Sequence, residues 1–329
     1  MNDRNEQGAR IVIQRWLRLK KWERALIVTS DCHIEEAEIL KKTALNYGRS
    51  AELMIVEKRG KHVGVFFDKN EAVFDGYDAV IGATDYSLVT TKAVKKIIRR
   101  GKKFLSFPLN TNDGRSMLGY DFLKMDTKKS KMMASLLMKY LNASSCIRIT
   151  TKTGTDLKLY KRNRTARFFN GDVKDGRGFS SASIEVYIPV EERMTEGKMI
   201  VDGSLGYIGK VKEPFEVHFQ EGKIKEIEDG KDGRRLREYM KEFQDDRIYI
   251  AGELGIGLNS YASCDGRCYI EDESAYGTFH IGLGRNIALG GIQKAVGHFD
   301  IVAKNPDLYA DNRKIMEDGK IVIPEPDFY

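Results

Sequence analysis

Along the first 145 residues, apolar positions fall into two alternating rhythms. Short apolar runs of strand length occur at 24–29, 51–56, 76–82 and 103–107. Between them apolar residues recur at helical spacing: around Ile11, Trp16 and Leu19, then over 35–45, then over 92–100. Ser30 or Asp31 is placed to cap the 35–45 helix, and Gly101 ends the helix over 92–100. Strands alternating with amphipathic helices predict a parallel sheet covered by helices on both sides. No Gly-x-Gly-x-x-Gly follows the first strand, so the pattern does not predict a dinucleotide site.

The rhythm changes near Cys146. Runs at 147–151, 155–160, 199–201, 215–219 and 223–227 alternate apolar and polar residues and are punctuated by glycine. This predicts mainly antiparallel strands, interrupted by a helix over 233–243 before a strand at 247–250. The fold class expected is therefore an α/β domain over 1–145 followed by a β-rich α+β domain over 146–329. A chain of 329 residues suits two domains, each able to bury its own core.

With 41% hydrophobic and 31% charged residues, the chain has the balance of a soluble globular protein, which removes disordered, collagenous and coiled-coil readings. The longest apolar runs are strand-sized, far short of the roughly 20 residues that span a bilayer. The charged first residues lack the apolar core of a signal peptide, so no membrane association and a cytoplasmic location are expected.

The formal charge of +7 raises the question of nucleic acid. The densest basic stretch, 92–103, sets Val94, Ile97 and Ile98 on one helical face and its lysines and arginines on the other, which describes a solvated amphipathic helix. No nucleic-acid motif accompanies it, and no nucleic-acid partner is expected. Cys264 and Cys268 share a CDGRC loop, while Cys32 and Cys146 stand alone. A zinc knuckle wants a second close pair, so reduced thiols are expected.

Candidate chemistry lies in the second half. His280 stands in GTFHIGLG at 277–284, and HFD at 298–300 follows. In a strand, residues two apart share a face, so His298 and Asp300 converge. An imidazole and a carboxylate on one face, with a further histidine near, suit a divalent metal of hard to borderline character. Glu253 opens ELGIGLN and Glu192 closes PVEE, both where strands enter glycine- or proline-marked turns.

These motifs in their order carry a resemblance. TGTDLKL (153–159), IPVEE (188–192), DGSLGYIG (202–209), AGELGIGLN (251–259), EDESAYGTFHIGLGRN (271–286) and GGIQKAVGHFD (290–300) are similar to the aminopeptidase T and aminopeptidase S metallopeptidases and their relatives described as leucyl aminopeptidases. RALIVTSD (24–31) and YDAVIGATDYSLVTTKAV (77–94) extend the resemblance to the first half. It implies two divalent ions, Zn, Co or Mn, held by Glu192, Glu253, His280, His298 and Asp300, with Glu192 and Glu253 as catalytic carboxylates. Glu191 would be a neighbour of the site. The implied activity is removal of N-terminal residues from short peptides, and the implied assembly is a homodimer. Three carboxylates and a bridging hydroxide would nearly balance two divalent ions about 3.5–4 Å apart, which lower the pKa of that water and polarise a peptide carbonyl.

The chain also departs from that pattern. Ile287 stands where peptidase relatives have Tyr, and Gln293 and Ala295 replace an Asn and a Ser beside the ligands. Asn286 and Arg285 could make up for the missing Tyr. Of the acids at 271–273, Asp272 and Glu273 match the family's acidic pair, so one could orient His280; loop solvation or sheet-edge protection is the other reading. Gly154, Thr155 and Asp156 are read as a turn that launches a strand.

Two further functions stay open. A dihydroxypyridine-cleaving dioxygenase group resembles the same superfamily and uses one non-haem Fe(II) with two His and a carboxylate. His298 and Asp300 suit it, while Glu253, where that group carries a His, favours the two-metal hydrolase. A peptide-processing or peptide-binding relative in a biosynthetic pathway is the third.

Overall fold

In the computed structural model, residues 3–57 and 63–323 are described here. They form two compact units, one of residues 3–57 and 63–127 with 169–183, the other of 128–168 with 184–323. His62, one of the five histidines, lies outside the described residues.

The first unit carries the expected parallel sheet. Strands Arg24–Ser30, Ser50–Val56, Ala79–Ala83 and Lys103–Ser106 run in parallel, with Arg24–Ser30 between Ser50–Val56 and Ala79–Ala83. Both faces of the Arg24–Ser30 strand are covered, so it reads as a continuous apolar run. Leu26 and Val28 join Phe67, Phe74, Val94 and Ile97 in one core cluster, and Ala25 and Ile27, on the other face, are equally buried. The basic helix is Lys92–Arg99, capped by the Thr91 hydroxyl accepting from the Val94 amide, with Ala93, Val94 and Ile97 inward.

Two features differ from the expected pattern. A 3-10 turn, Asp31–His33, precedes the helix Ile34–Leu45, so neither Ser30 nor Asp31 caps it. The Ser30 hydroxyl donates instead to Asp85 at 2.7 Å, both residues being buried. The chain also returns to this sheet after residue 145: Phe179–Ser181 pairs in parallel with Lys103–Ser106. The boundary drawn at 145/146 does not take in that return, which a three-residue strand leaves unmarked.

The second unit is β-rich and largely antiparallel, as its alternation implies. One sheet of eight strands includes Cys146–Thr150, Asp156–Tyr160, Glu196–Val201, Phe215–Gln220 and Lys223–Ile227. Asp156 opens its strand after Gly154, whose φ of +119° suits a residue without a Cβ. The strand expected at 247–250 is instead a 3-10 turn, Asp246–Tyr249, because the Asp245 carboxylate accepts from the Arg247 amide and starts a turn; the strand begins at Ala251. A second sheet of seven strands sets Ile184–Pro189, Ala251–Gly257, Thr278–Gly284 and His298–Lys304 side by side, all antiparallel. The two inner strands of this set are buried along their whole length. Among the described residues no helix is long and apolar enough to cross a membrane.

Candidate metal centre

The register of these four strands builds the centre. Glu253 faces Gly282, which faces Asp300; Gly255 faces His280; Gly284 faces His298; Gly257 faces Glu185. Paired residues project to the same side of a sheet, so Glu185, Glu253, His280, His298 and Asp300 share one face. Each donor thus has a glycine across the strand, and two of these, Gly255 and Gly282, provide the room. A Cβ on Gly282 would lie 2.7 Å from His298 Cε1 and 2.8 Å from Glu253 Oε2, and one on Gly255 would overlap the His280 ring.

Two donor groups result, Glu185–Glu253–His280 and Glu253–His298–Asp300, with Glu253 common to both. His298 Nε2 lies 3.2 Å from Glu253 Oε2 and 3.1 Å from Asp300 Oδ1. His280 Nε2 lies 3.3 Å from Glu185 Oε2 and 3.9 Å from Asp300 Oδ1. His298 Nδ1 is 2.9 Å from the Arg285 carbonyl, which can only accept, so Nδ1 donates and Nε2 is turned to the carboxylates.

The electrostatics ask for a cation. Three carboxylates, Glu185, Glu253 and Asp300, are gathered in a largely buried place, and Glu185 Oε2 has no hydrogen-bond partner. Burial, followed by the charges of Glu273, Glu253 and Asp300, pushes Glu185 well above the usual carboxylate range. Burial would lower His298, but Asp300 and then Glu253 beside it hold the imidazole well above its ordinary value. Burial would raise Asp300, and the facing His298 outweighs it, so that carboxyl sits low. Mixed imidazole and carboxylate donors around unpaired buried oxygens are the chemistry of a hard or borderline divalent ion, and the residues fit one.

Four of the five ligands expected from the sequence meet here: Glu253, His280, His298 and Asp300. Glu192 belongs to neither donor group. Its Oε2 accepts from Arg164 at 2.5 Å, and its Oε1 accepts from Asn286 Nδ2 at 2.9 Å and the Ile292 amide at 3.0 Å. With both oxygens engaged it is a held carboxylate, not a member of the cluster. Burial would raise it, yet the Ile292 amide, Arg164 and Asn286 keep it below the usual range. Glu191 lies 3.4 Å from Arg162.

Glu185 takes the place expected of Glu192. The only signal in the sequence is an acid in phase with Tyr187 in the strand Ile184–Pro189, every residue of which is buried.

The acids at 271–273 are on a buried helical turn, Tyr269–Ser274, not in a loop or at a sheet edge. Glu271 pairs with Arg267 at 3.2 Å, and Asp272 accepts from the Gly266 amide at 2.9 Å. His280 Nδ1 has no hydrogen-bond partner among the described residues, so none of the three acids orients that ring.

An α/β unit joined in one chain to a β-rich unit, with this donor set built across the middle strands of a sheet, defines an enzyme framework of the metal-handling kind. The chain belongs to the 2,5-dihydroxypyridine 5,6-dioxygenase family, whose model matches residues 67–323.

A curated relative, the 2,5-dihydroxypyridine 5,6-dioxygenase of Pseudomonas putida KT2440, is 27% identical over 213 residues, 61% of this chain. The match spans 60% of that relative's length. Among solved structures, 2,5-dihydroxypyridine dioxygenase from Pseudomonas putida KT2440 superposes with a TM-score of 0.79 at 19% identity, covering 98% of each chain. Wild-type AmpT from Thermus thermophilus superposes with a TM-score of 0.66 at 14% identity, covering 97% of this chain and 99% of its own. At these identities the two structures establish the fold. The resemblance to aminopeptidase T therefore holds for the fold, while the family is the dioxygenase one.

Proposed function

We propose that this chain is a ring-opening dioxygenase of small hydroxylated aromatic or nitrogen-heteroaromatic compounds. The observation that carries the reading is family membership across 67–323 together with His298, Asp300 and Glu253 gathered on one sheet face. Non-haem iron oxygenases hold the ion with two imidazoles and one carboxylate and leave positions open; here His298 and Asp300 supply one of each, and Glu253 stands where the second imidazole would be. Glu253, His298 and Asp300 would hold a ferrous ion, which when bound supplies a place for dioxygen and for a ring hydroxyl.

The chain's own residues do the rest. The Arg285 carbonyl keeps His298 in the tautomer that presents Nε2. Glu253 and Asp300 set the charge of the centre and orient what binds there. His280 and Glu185, 3.3 Å apart and buried, form an acid–base pair beside Asp300, placed to take the proton of a ring hydroxyl at His280 Nε2 and to return it.

One observation favours a second reading. Glu185, Glu253 and His280 form a donor group of their own, so the face offers two sites sharing Glu253, as a two-ion peptidase would need.

An oxygen-electrode assay with 2,5-dihydroxypyridine and anaerobically Fe(II)-loaded protein separates the readings. The expected result is dioxygen uptake matching loss of the ring absorbance mole for mole, abolished in His298→Ala. No uptake with iron, together with release of N-terminal residues from short peptides by the Zn-, Co- or Mn-loaded protein, would overturn the dioxygenase.

A further inference from the structure

Glu192 is buried, charged and fully hydrogen-bonded, and the chemistry proposed above does not use it. We infer that Glu192 and Asn286 form a positioning unit that fixes Glu253 and His298 from behind; the inference rests on the metal-centre reading.

Asn286 is completely buried and uses every polar group of its side chain. Its Nδ2 donates to Glu192 Oε1 and to the Gly252 carbonyl, each at 2.9 Å, and its Oδ1 accepts from the Gln293 amide at 2.9 Å. The amide orientation is therefore fixed, because reversing it would set a nitrogen against the Gln293 N–H and an oxygen against two acceptors. The Asn286 carbonyl also accepts from the Gly291 amide at 3.0 Å. A Cβ on Gly291 would collide with the Asn286 amide, so this approach requires glycine.

Gly252 directly precedes Glu253, and Arg285, whose carbonyl holds His298 Nδ1, directly precedes Asn286. One side chain thus ties together the backbone of a metal-facing carboxylate and the acceptor that sets the orientation of a metal-facing imidazole. Glu192 anchors it in turn. Oε1 takes the Asn286 and Ile292 N–H groups, Oε2 takes Arg164, and Arg164 also donates to the Val190 carbonyl. A carboxylate that accepts from a half-buried guanidinium and two N–H groups is a strong and directional support. Partners of this kind, one step behind the ligands, typically change metal affinity 10–100-fold when removed.

The test uses the full chain, Co(II) as the probe, and Asn286→Ala and Glu192→Gln. Glu192→Gln keeps the size of the side chain and an oxygen for Ile292, so it remains informative if Asn286→Ala does not fold. Three quantities are read: Co(II) bound per chain, Co(II) affinity by chelator competition, and the downfield His298 Nδ1–H proton resonance of the metal-free protein, assigned by its loss in His298→Gln.

Both variants should bind as many ions as wild type. Affinity should drop on the order of 10–100-fold in Asn286→Ala and less in Glu192→Gln. The Nδ1–H resonance should be lost or broadened in Asn286→Ala. A lower ion count in Glu192→Gln would make Glu192 a ligand and overturn the inference, as would unchanged affinity and resonance in both variants. Failure of wild type to bind Co(II) at all would instead count against the metal centre, and the Nδ1–H resonance would still report on the positioning unit.

Discussion

Room at the centre is made by residues without side chains. Gly255 stands across from His280, and Gly282 across from Glu253 and Asp300. A methyl group at Gly282 would press on two donors at once, at 2.7 Å from His298 Cε1 and 2.8 Å from Glu253 Oε2. Overpacking of this kind costs about 1–3 kcal/mol. Gly282→Ala should therefore retain the fold and bind metal on the order of tenfold to a hundredfold more weakly, read by chelator competition beside a thermal melt. Unchanged affinity would mean that the donors do not need this space. His280, His298, Asp300 and Glu253 are legible in the sequence because each stands in a short glycine-marked motif. Glu185 is not, since a single acid in an apolar strand reads as an outward-facing residue until both faces of that strand are known to be covered. Glu192 misleads for the opposite reason: it stands beside a turn, and the arginine that occupies it comes 28 residues earlier, beyond the reach of periodicity.

At the scale of elements, local pattern and long-range contact part company. The parallel strands and the Lys92–Arg99 helix follow from apolar spacing, because each buries a simple stripe or both faces. The turn at Asp246–Tyr249 follows from one side-chain hydrogen bond, which outweighs the strand pattern of Ile248 and Ile250. The buried turn Tyr269–Ser274 could not be foreseen, since three consecutive acids read as surface. This turn makes its own prediction. Burial raises Asp272 to about 6, above the value it has in an unfolded chain. Folding thus favours the protonated form, and the stability this provides is present at acid pH and lost as pH rises through about 6. Asp272→Asn removes the ionisation. The difference in melting temperature, variant minus wild type, should rise between about pH 4 and pH 6 and level off above that; a difference that stays flat across this window would show that Asp272 is not carrying this pH dependence.

At the scale of the whole molecule, two units of different construction, one parallel and one mainly antiparallel, were legible as a change of rhythm near Cys146. The return of Phe179–Ser181 to the first sheet was not, because three residues carry no period. Fold is shared with both an oxygenase and AmpT, so architecture alone does not choose the chemistry. The two readings part at the donor face, where they require one ion or two. We propose that Glu253, His298 and Asp300 hold a single iron while Glu185 and His280 serve as an acid–base pair. Elemental analysis of the anaerobically reconstituted chain and of Asp300→Ala and Glu185→Gln tests it most directly. A single iron ion per chain is expected, lost in Asp300→Ala and retained in Glu185→Gln. Two ions per chain, falling to one in Glu185→Gln, would contradict it and return the site to two-metal hydrolysis.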